Sequence, residues 1–124
     1  RFVPHAVFSN PQVASVGATE RELLQSDTPY AVHLQEYADV AYGWAMEDEG
    51  HCVKLLADPH KRTLLGAHIL GPQASTLIQT CIQGMIAGQT VDQMARGQYW
   101  IHPALPEVIK NALLGLGKAM DATG

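Results

Sequence analysis

The chain has 124 residues, 47% of them apolar and 16% charged, with a net charge of −4 and two cysteines. That is enough apolar material for one domain with its own core, and too much for a disordered chain. The modest negative charge excludes the basic stripe that nucleic acid or an anionic membrane requires, and Cys52 and Cys81, far apart and in no paired motif, exclude a disulfide framework and fit a reducing cytoplasm.

The opening Arg1-Phe2-Val3-Pro4-His5 has no apolar run long enough for a secretory leader. A chain that lacks an initial Met and enters a strand at once reads as a piece of a longer protein. Ala6 to Phe8 predict a short strand closed by Ser9-Asn10-Pro11, with Val13 to Gly17 continuing it after a bend. Thr19 with Glu22 three residues on is a capping box, so a helix is expected over Glu20 to Gln25, stopping before Asp27-Thr28-Pro29. Tyr30 to Val40 reads as a half-buried strand, Val32 and Leu34 alternating against His33 and Gln35. Ala41 to Met46 is ambiguous, and Asp48-Glu49-Gly50 marks a turn. His51 to Ala57 and Thr63 to Leu70 form a hairpin around Asp58-Pro59-His60-Lys61-Arg62.

The clearest helix follows, with Ala74, Leu77, Ile78, Cys81, Ile82, Met85 and Ile86 on one stripe. Its other face, Gln73, Ser75, Thr76, Gln79, Thr80 and Gln83, is polar but uncharged, and no Asp, Glu, Lys or Arg occurs from Thr63 through Val91. A solvated helix face ordinarily carries charge, so this one suggests burial against a second chain or domain. Gly71-Pro72 and the glutamines break any apolar run long enough to span a membrane. Val91 to Ala95 is a short helix with Thr90 as its cap. Pro106 to Met120 is the last helix, with Ile109, Ala112, Leu113, Leu116 and Met120 facing inward. Strands grouped before helices predict an α+β domain, a mainly antiparallel sheet with helices packed on one side.

The chemistry concentrates in Tyr99-Trp100-Ile101-His102-Pro103-Ala104-Leu105-Pro106-Glu107. Pro103 biases His102 toward extended backbone, Pro106 suits the first helical position, and Glu107 falls in the first turn, where the helix dipole favours a negative charge. A carboxylate reaching back to the imidazole would fix its tautomer and raise the basicity of the other ring nitrogen, the make-up of a general acid/base. The plainer alternative is a loop histidine before a capped helix.

The stretch from Gly97 to Glu107, followed by Asn111-Ala112-Leu113-Leu114-Gly115-Leu116, resembles the C-terminal signature of the flavin disulfide reductases, or pyridine nucleotide-disulfide oxidoreductases, which reads His-Pro-x-x-x-Glu. Val7-Phe8-Ser9-Asn10-Pro11-Gln12 through Val16-Gly17 is similar to the family's entry strand, and Leu65-Gly66-Ala67-His68-Ile69-Leu70-Gly71-Pro72-Gln73-Ala74 to its last strand and following helix. The resemblance implies that residues 1–124 form a single dimerisation domain of a longer flavoprotein, a homodimer that uses FAD and NADPH to reduce a small-molecule disulfide. It implies that His102 protonates the leaving thiolate in the partner subunit's site, that Glu107 holds it, and that the backbone at His102 and Pro103 approaches the partner's flavin. Where several relatives carry small hydroxyl residues between the proline and the glutamate, this chain has Ala104, Leu105 and Pro106. The apolar, stiffer loop sets it apart from the glutathione and lipoamide enzymes.

Much else is missing. Gly115-Leu116-Gly117 lacks the third glycine of a dinucleotide fingerprint and lies inside a helix pattern. There is no Cys-x-x-Cys and no Gly-x-Ser-x-Gly. His5, His33, His51, His60 and His68 show no metal-ligand spacing, and Trp44 and Trp100 read as packing anchors. The fragment alone is therefore expected to be inactive and to bind neither FAD nor NADPH tightly. The competing function class is a stand-alone interaction domain without chemistry. Within the family, the same domain of a lipoamide dehydrogenase, glutathione reductase or transhydrogenase is the alternative.

Overall fold

The computed structural model describes residues 5–7, 13–36, 51–71, 74–96 and 106–123, with 5–7, Pro106, Glu107 and Thr123 as backbone alone. Five strands, β1 (His5–Val7), β2 (Val13–Gly17), β3 (Ala31–Glu36), β4 (Cys52–Ala57) and β5 (Leu64–Leu70), form one antiparallel sheet in the order β1-β2-β5-β4-β3. Helices α1 (Glu20–Gln25), α2 (Ala74–Ile86), α3 (Val91–Arg96) and α4 (Pro106–Thr123) complete the described elements. This is the expected α+β architecture. Val13–Gly17 does not extend β1, however; it turns back and pairs with it, His5 opposite Ser15.

The sheet has two unlike faces. Ala14, Val16, Val53, Leu55, Ala67 and Ile69 form the inner face and join the inward stripes of α2 and α4 in one buried cluster. Strand alternation puts Lys54, Leu56, Gly66 and His68 on the outer face. There α1 is tied down: Lys54 Nζ lies 2.6 Å from Glu20 Oε1, Tyr30 donates its hydroxyl to Glu20 Oε2 at 2.6 Å, and His68 Nε2 donates to the carbonyl of Ala18 at 2.8 Å. Leu23 and Leu56 are buried there, outside the main cluster.

The caps follow the sequence closely. Glu22 N–H donates to Thr19 Oγ1 at 3.1 Å and Thr19 N–H to Glu22 Oε1 at 2.9 Å, which closes the capping box. Asp27, at φ 59°, ends α1, with the Thr28 N–H returning to Leu23 and the Asp27 N–H to Leu24. Gly88, at φ 68°, ends α2 in the same way, with Gln89 N–H on Gly84 and Gly88 N–H on Met85. Thr90 and Gln93 repeat the reciprocal capping at the start of α3.

Three further expectations change. In β3 the phase is inverted: Val32 and Leu34 stand outward at 36% and 56% exposure, while Gln35 is buried and His33 half-buried against the helices. The alternation was real but could not say which side faced the core. Ile86 leaves the inward stripe of α2, at 71% exposure, where the helix runs into its C-cap. The last helix also continues past Met120 to Thr123. Phe8, the turn at Ser9-Asn10-Pro11, Tyr37 to Gly50 with Trp44, and Trp100 lie outside the described residues.

Candidate functional site

His102 and Pro103 lie outside the described residues, as do Ala104 and Leu105; of Glu107 the structure gives its backbone place in α4. That place is informative. Pro106 opens the helix, as its missing N–H favours, and Glu107 stands in the first turn, at the positive end of the helix dipole. Helix α4 is held firmly behind them. Val108, Ile109, Ala112, Leu113 and Leu116 are fully buried, and the helix packs across β3, β4 and α3.

A second feature lies on α2. Its exposed positions, Thr76, Gln79, Gln83 and Ile86, form a face without charge. The apolar Ile86 extends that face at its end, so the face is less polar than the sequence pattern suggested.

Elsewhere several titratable groups are committed to structure. Arg62, at φ 60° in the β4–β5 turn, donates Nε to Asp92 Oδ2 at 2.7 Å and Nη2 to Asp92 Oδ1 at 3.2 Å, and its Nη1 lies 3.1 Å from Asp121 Oδ1. The pairing with Arg62 holds the Asp92 carboxyl below its ordinary pKa and raises that of Arg62. Asp58 accepts the N–H groups of His60 and Lys61 at 2.8 and 3.1 Å, which lowers its pKa in turn. Sequence reasoning missed the Arg62 junction, because nothing local links a turn arginine to helices far along the chain. A cavity of about 210 Å³ between α3 and α4 is lined by Asp92, Arg96, Leu113, Lys118 and Asp121 among others. Its two carboxylates are those taken by Arg62, and it sits along the C-terminal part of α4, away from Pro106.

The cysteines carry no redox pair. Burial pushes the Cys81 thiol up to about 12, which leaves it protonated and unreactive. Cys52 is half-buried, and desolvation raises its pKa too. Gly115 and Gly117 lie inside α4, Gly115 against His33 and Gly117 beside Asp92 and Arg62. Both stand in the interior of a helix rather than in a phosphate-binding turn, and only Gly115 is closely packed. Among the described residues no three His, Cys, Asp or Glu side chains converge to hold a metal, and no helix is long and apolar enough to cross a membrane.

Residues 3–113 match the family model of the pyridine nucleotide-disulphide oxidoreductase dimerisation domain. Over 94% of its length the chain is 59% identical to mycothione reductase of Mycobacterium tuberculosis. It is 34% identical over 96% of its length to the soluble pyridine nucleotide transhydrogenase of Mycobacterium bovis, and 33% identical over 97% to the mitochondrial dihydrolipoyl dehydrogenase of Dictyostelium discoideum. The chain spans about a quarter of the length of these curated relatives. Among solved structures, the HOCl-induced flavoprotein disulfide reductase RclA of Escherichia coli superposes with a TM-score of 0.83 at 25% identity, covering 92% of this chain and 26% of that one. LpdA of Mycobacterium tuberculosis shares the fold at a TM-score of 0.84 and 21% identity, covering 90% of this chain and 24% of that one.

Proposed function

The chain belongs to the pyridine nucleotide-disulphide oxidoreductase dimerisation-domain family, and from that premise we propose that it is the dimerisation domain of a longer, FAD- and NADPH-dependent mycothione reductase, a homodimer of the cytoplasm. The observation that carries the substrate is the 59% identity to mycothione reductase against 34% and 33% for the transhydrogenase and the dihydrolipoyl dehydrogenase. The nucleotides belong to other parts of the full-length protein, since Gly115 and Gly117 lie inside a helix and not in a phosphate-binding turn. Alone, this domain has no turnover.

What the domain adds is a proton. In the full-length dimer a redox thiolate of the partner subunit attacks one sulfur of the substrate disulfide. A sulfur–sulfur bond forms to the enzyme, the substrate bond breaks, and the second sulfur leaves as a thiolate. His102 gives it a proton, which speeds departure because a neutralised sulfur is the better leaving group. Glu107, at the start of α4, would hold the imidazole, and the backbone at His102 and Pro103 would approach the partner's flavin. The uncharged face of α2, with Thr76, Gln79, Gln83 and Ile86, fits a surface that is buried in the dimer. A two-fold interface uses the same patch on both chains.

Stopped-flow kinetics on the full-length enzyme test the role of His102. His102→Gln is expected to slow the reduction of mycothione by roughly 10²-fold or more, the usual scale for positioned proton transfer, while reduction of the enzyme by NADPH stays near normal. An unchanged disulfide half-reaction would return the motif to a loop histidine before a capped helix. If glutathione disulfide or lipoamide were turned over faster than mycothione, the substrate assignment would fall.

A further inference from the structure

The inverted strand β3 points to a second contributor to this site. His33 and Gln35 occupy the sheet face that elsewhere is wholly apolar, paired across the ladder with the buried Leu55 and Val53. Apolar side chains were at hand: Val32 and Leu34 stand next to them and face outward. Burying polar groups in place of available apolar ones breaks the pattern of the rest of the sheet, and such breaks concentrate where geometry is under functional demand. The two are linked, His33 Nε2 donating to Gln35 Oε1 at 3.2 Å, and Gln35 Nε2 donates on to the carbonyl of Glu36 at 3.4 Å.

The imidazole fills a specific seat. A Cβ at Gly115 would overlap the His33 ring, so α4 can approach β3 only because residue 115 has no side chain. Gly117 offers the contrast, because a Cβ there would meet Asp92 Oδ1 at 3.5 Å and Arg62 Nη2 at 3.7 Å, which are ordinary contacts. Two glycines in one helix interior are unfavourable for the helix; packing against His33 accounts for the first, and the structure does not require the second.

We propose that His33 is a positioning residue for the acid/base end of α4, its ring in the Gly115 seat setting how the helix that starts at Pro106 and Glu107 lies on the sheet. The proposal rests on the reading of His102 and Glu107 given above. Gly115 lies about two turns beyond Glu107, roughly 12 Å along a rigid rod. A rod lifted at that point carries its first turn with it.

The test uses the full-length enzyme and four variants beside His102→Gln. Gly115→Ala is expected to slow the disulfide half-reaction roughly tenfold, in line with the sensitivity of positioned groups to ångström displacements. KM for the disulfide and the NADPH half-reaction should stay within about twofold, because binding and hydride transfer do not use this proton. Gly117→Ala should leave both half-reactions unchanged. His33→Asn combined with Gly115→Ala makes room for the new methyl and should recover most of the lost rate. Equal behaviour of Gly115→Ala and Gly117→Ala, or no recovery in the double variant, would overturn the proposal. Should Gly115→Ala fail to accumulate, His33→Asn alone carries the test: a disulfide half-reaction equal to wild type overturns it, and a several-fold loss supports it. Failure of the underlying reading shows separately, as an intact half-reaction in His102→Gln.

Discussion

The α1 corner and the β3–α4 seat lie on opposite faces of the same sheet, yet they are built in different ways. The corner starts from neighbours in sequence, where Thr19 and Glu22 cap each other, Asp27 closes the turn and Glu20 accepts from Tyr30, and Lys54 and His68 then tie it to the sheet. The seat joins residues far apart in the chain, with polar side chains inside and apolar ones outside. Local chemistry starts the first region. The second exists only once the sheet and the last helix have met.

That contrast ranks the expected effects. The largest falls on the helix that closes the seat. Leu113→Ala removes a fully buried side chain from α4 and should cost about 2–5 kcal/mol in urea unfolding. A cost below about 1 kcal/mol would mean that α4 is not anchored in the core as described. Next comes Thr19→Ala, which deletes the cap acceptor and should cost about 1 kcal/mol. The corner is thus worth less than one core leucine. The smallest effect is expected at Leu34→Ser, within about 0.5 kcal/mol, because the side chain is already in water. A large loss there would restore the opposite phase of β3.

The acid dependence sharpens the same comparison. Glu20 and Glu22 in the corner sit below their ordinary pKa, Glu20 chiefly through its hydrogen bond with Lys54 and Glu22 chiefly through the Thr19 backbone N–H, and Asp92 is lowered by Arg62. A carboxyl whose pKa is depressed in the fold adds stability while it is ionised. That stability is fully present above the unfolded pKa, about 4 for these groups, and is lost as pH falls through the lower folded value. Thermal melts should therefore lose midpoint below about pH 4. Arg62→Ala should flatten the part of that loss due to Asp92. An unchanged acid slope in Arg62→Ala would separate the pair from the stability.

Much of the fold was legible because its signals are local. The capping box, the helical stripe of α4 and the turn around Asp58 each fall within a few residues, and each has its element where expected. The phase of β3 was not legible, since alternation is symmetric between the two faces until a partner helix chooses one. Residues such as Arg62 and Asp92 meet only through tertiary structure. At the site, the sequence placed Pro106 and Glu107 at the head of the last helix, and the backbone of α4 agrees. A contact between His102 and Glu107 depends on tertiary placement, which residue spacing does not dictate.

The central claim is that this domain lends its acid/base to the partner subunit. Mixed dimers test it most directly. One full-length subunit carries His102→Ala with its redox cysteines intact, and the other keeps His102 but lacks the attacking cysteine. Each homodimer should be inactive. If His102 acts across the interface, random reassortment creates one complete site in half of the dimers, and disulfide reductase activity should return to about a quarter of wild type, as two-fold symmetry dictates. No activity above the two parents, with hybrid dimers shown to form, would contradict the account.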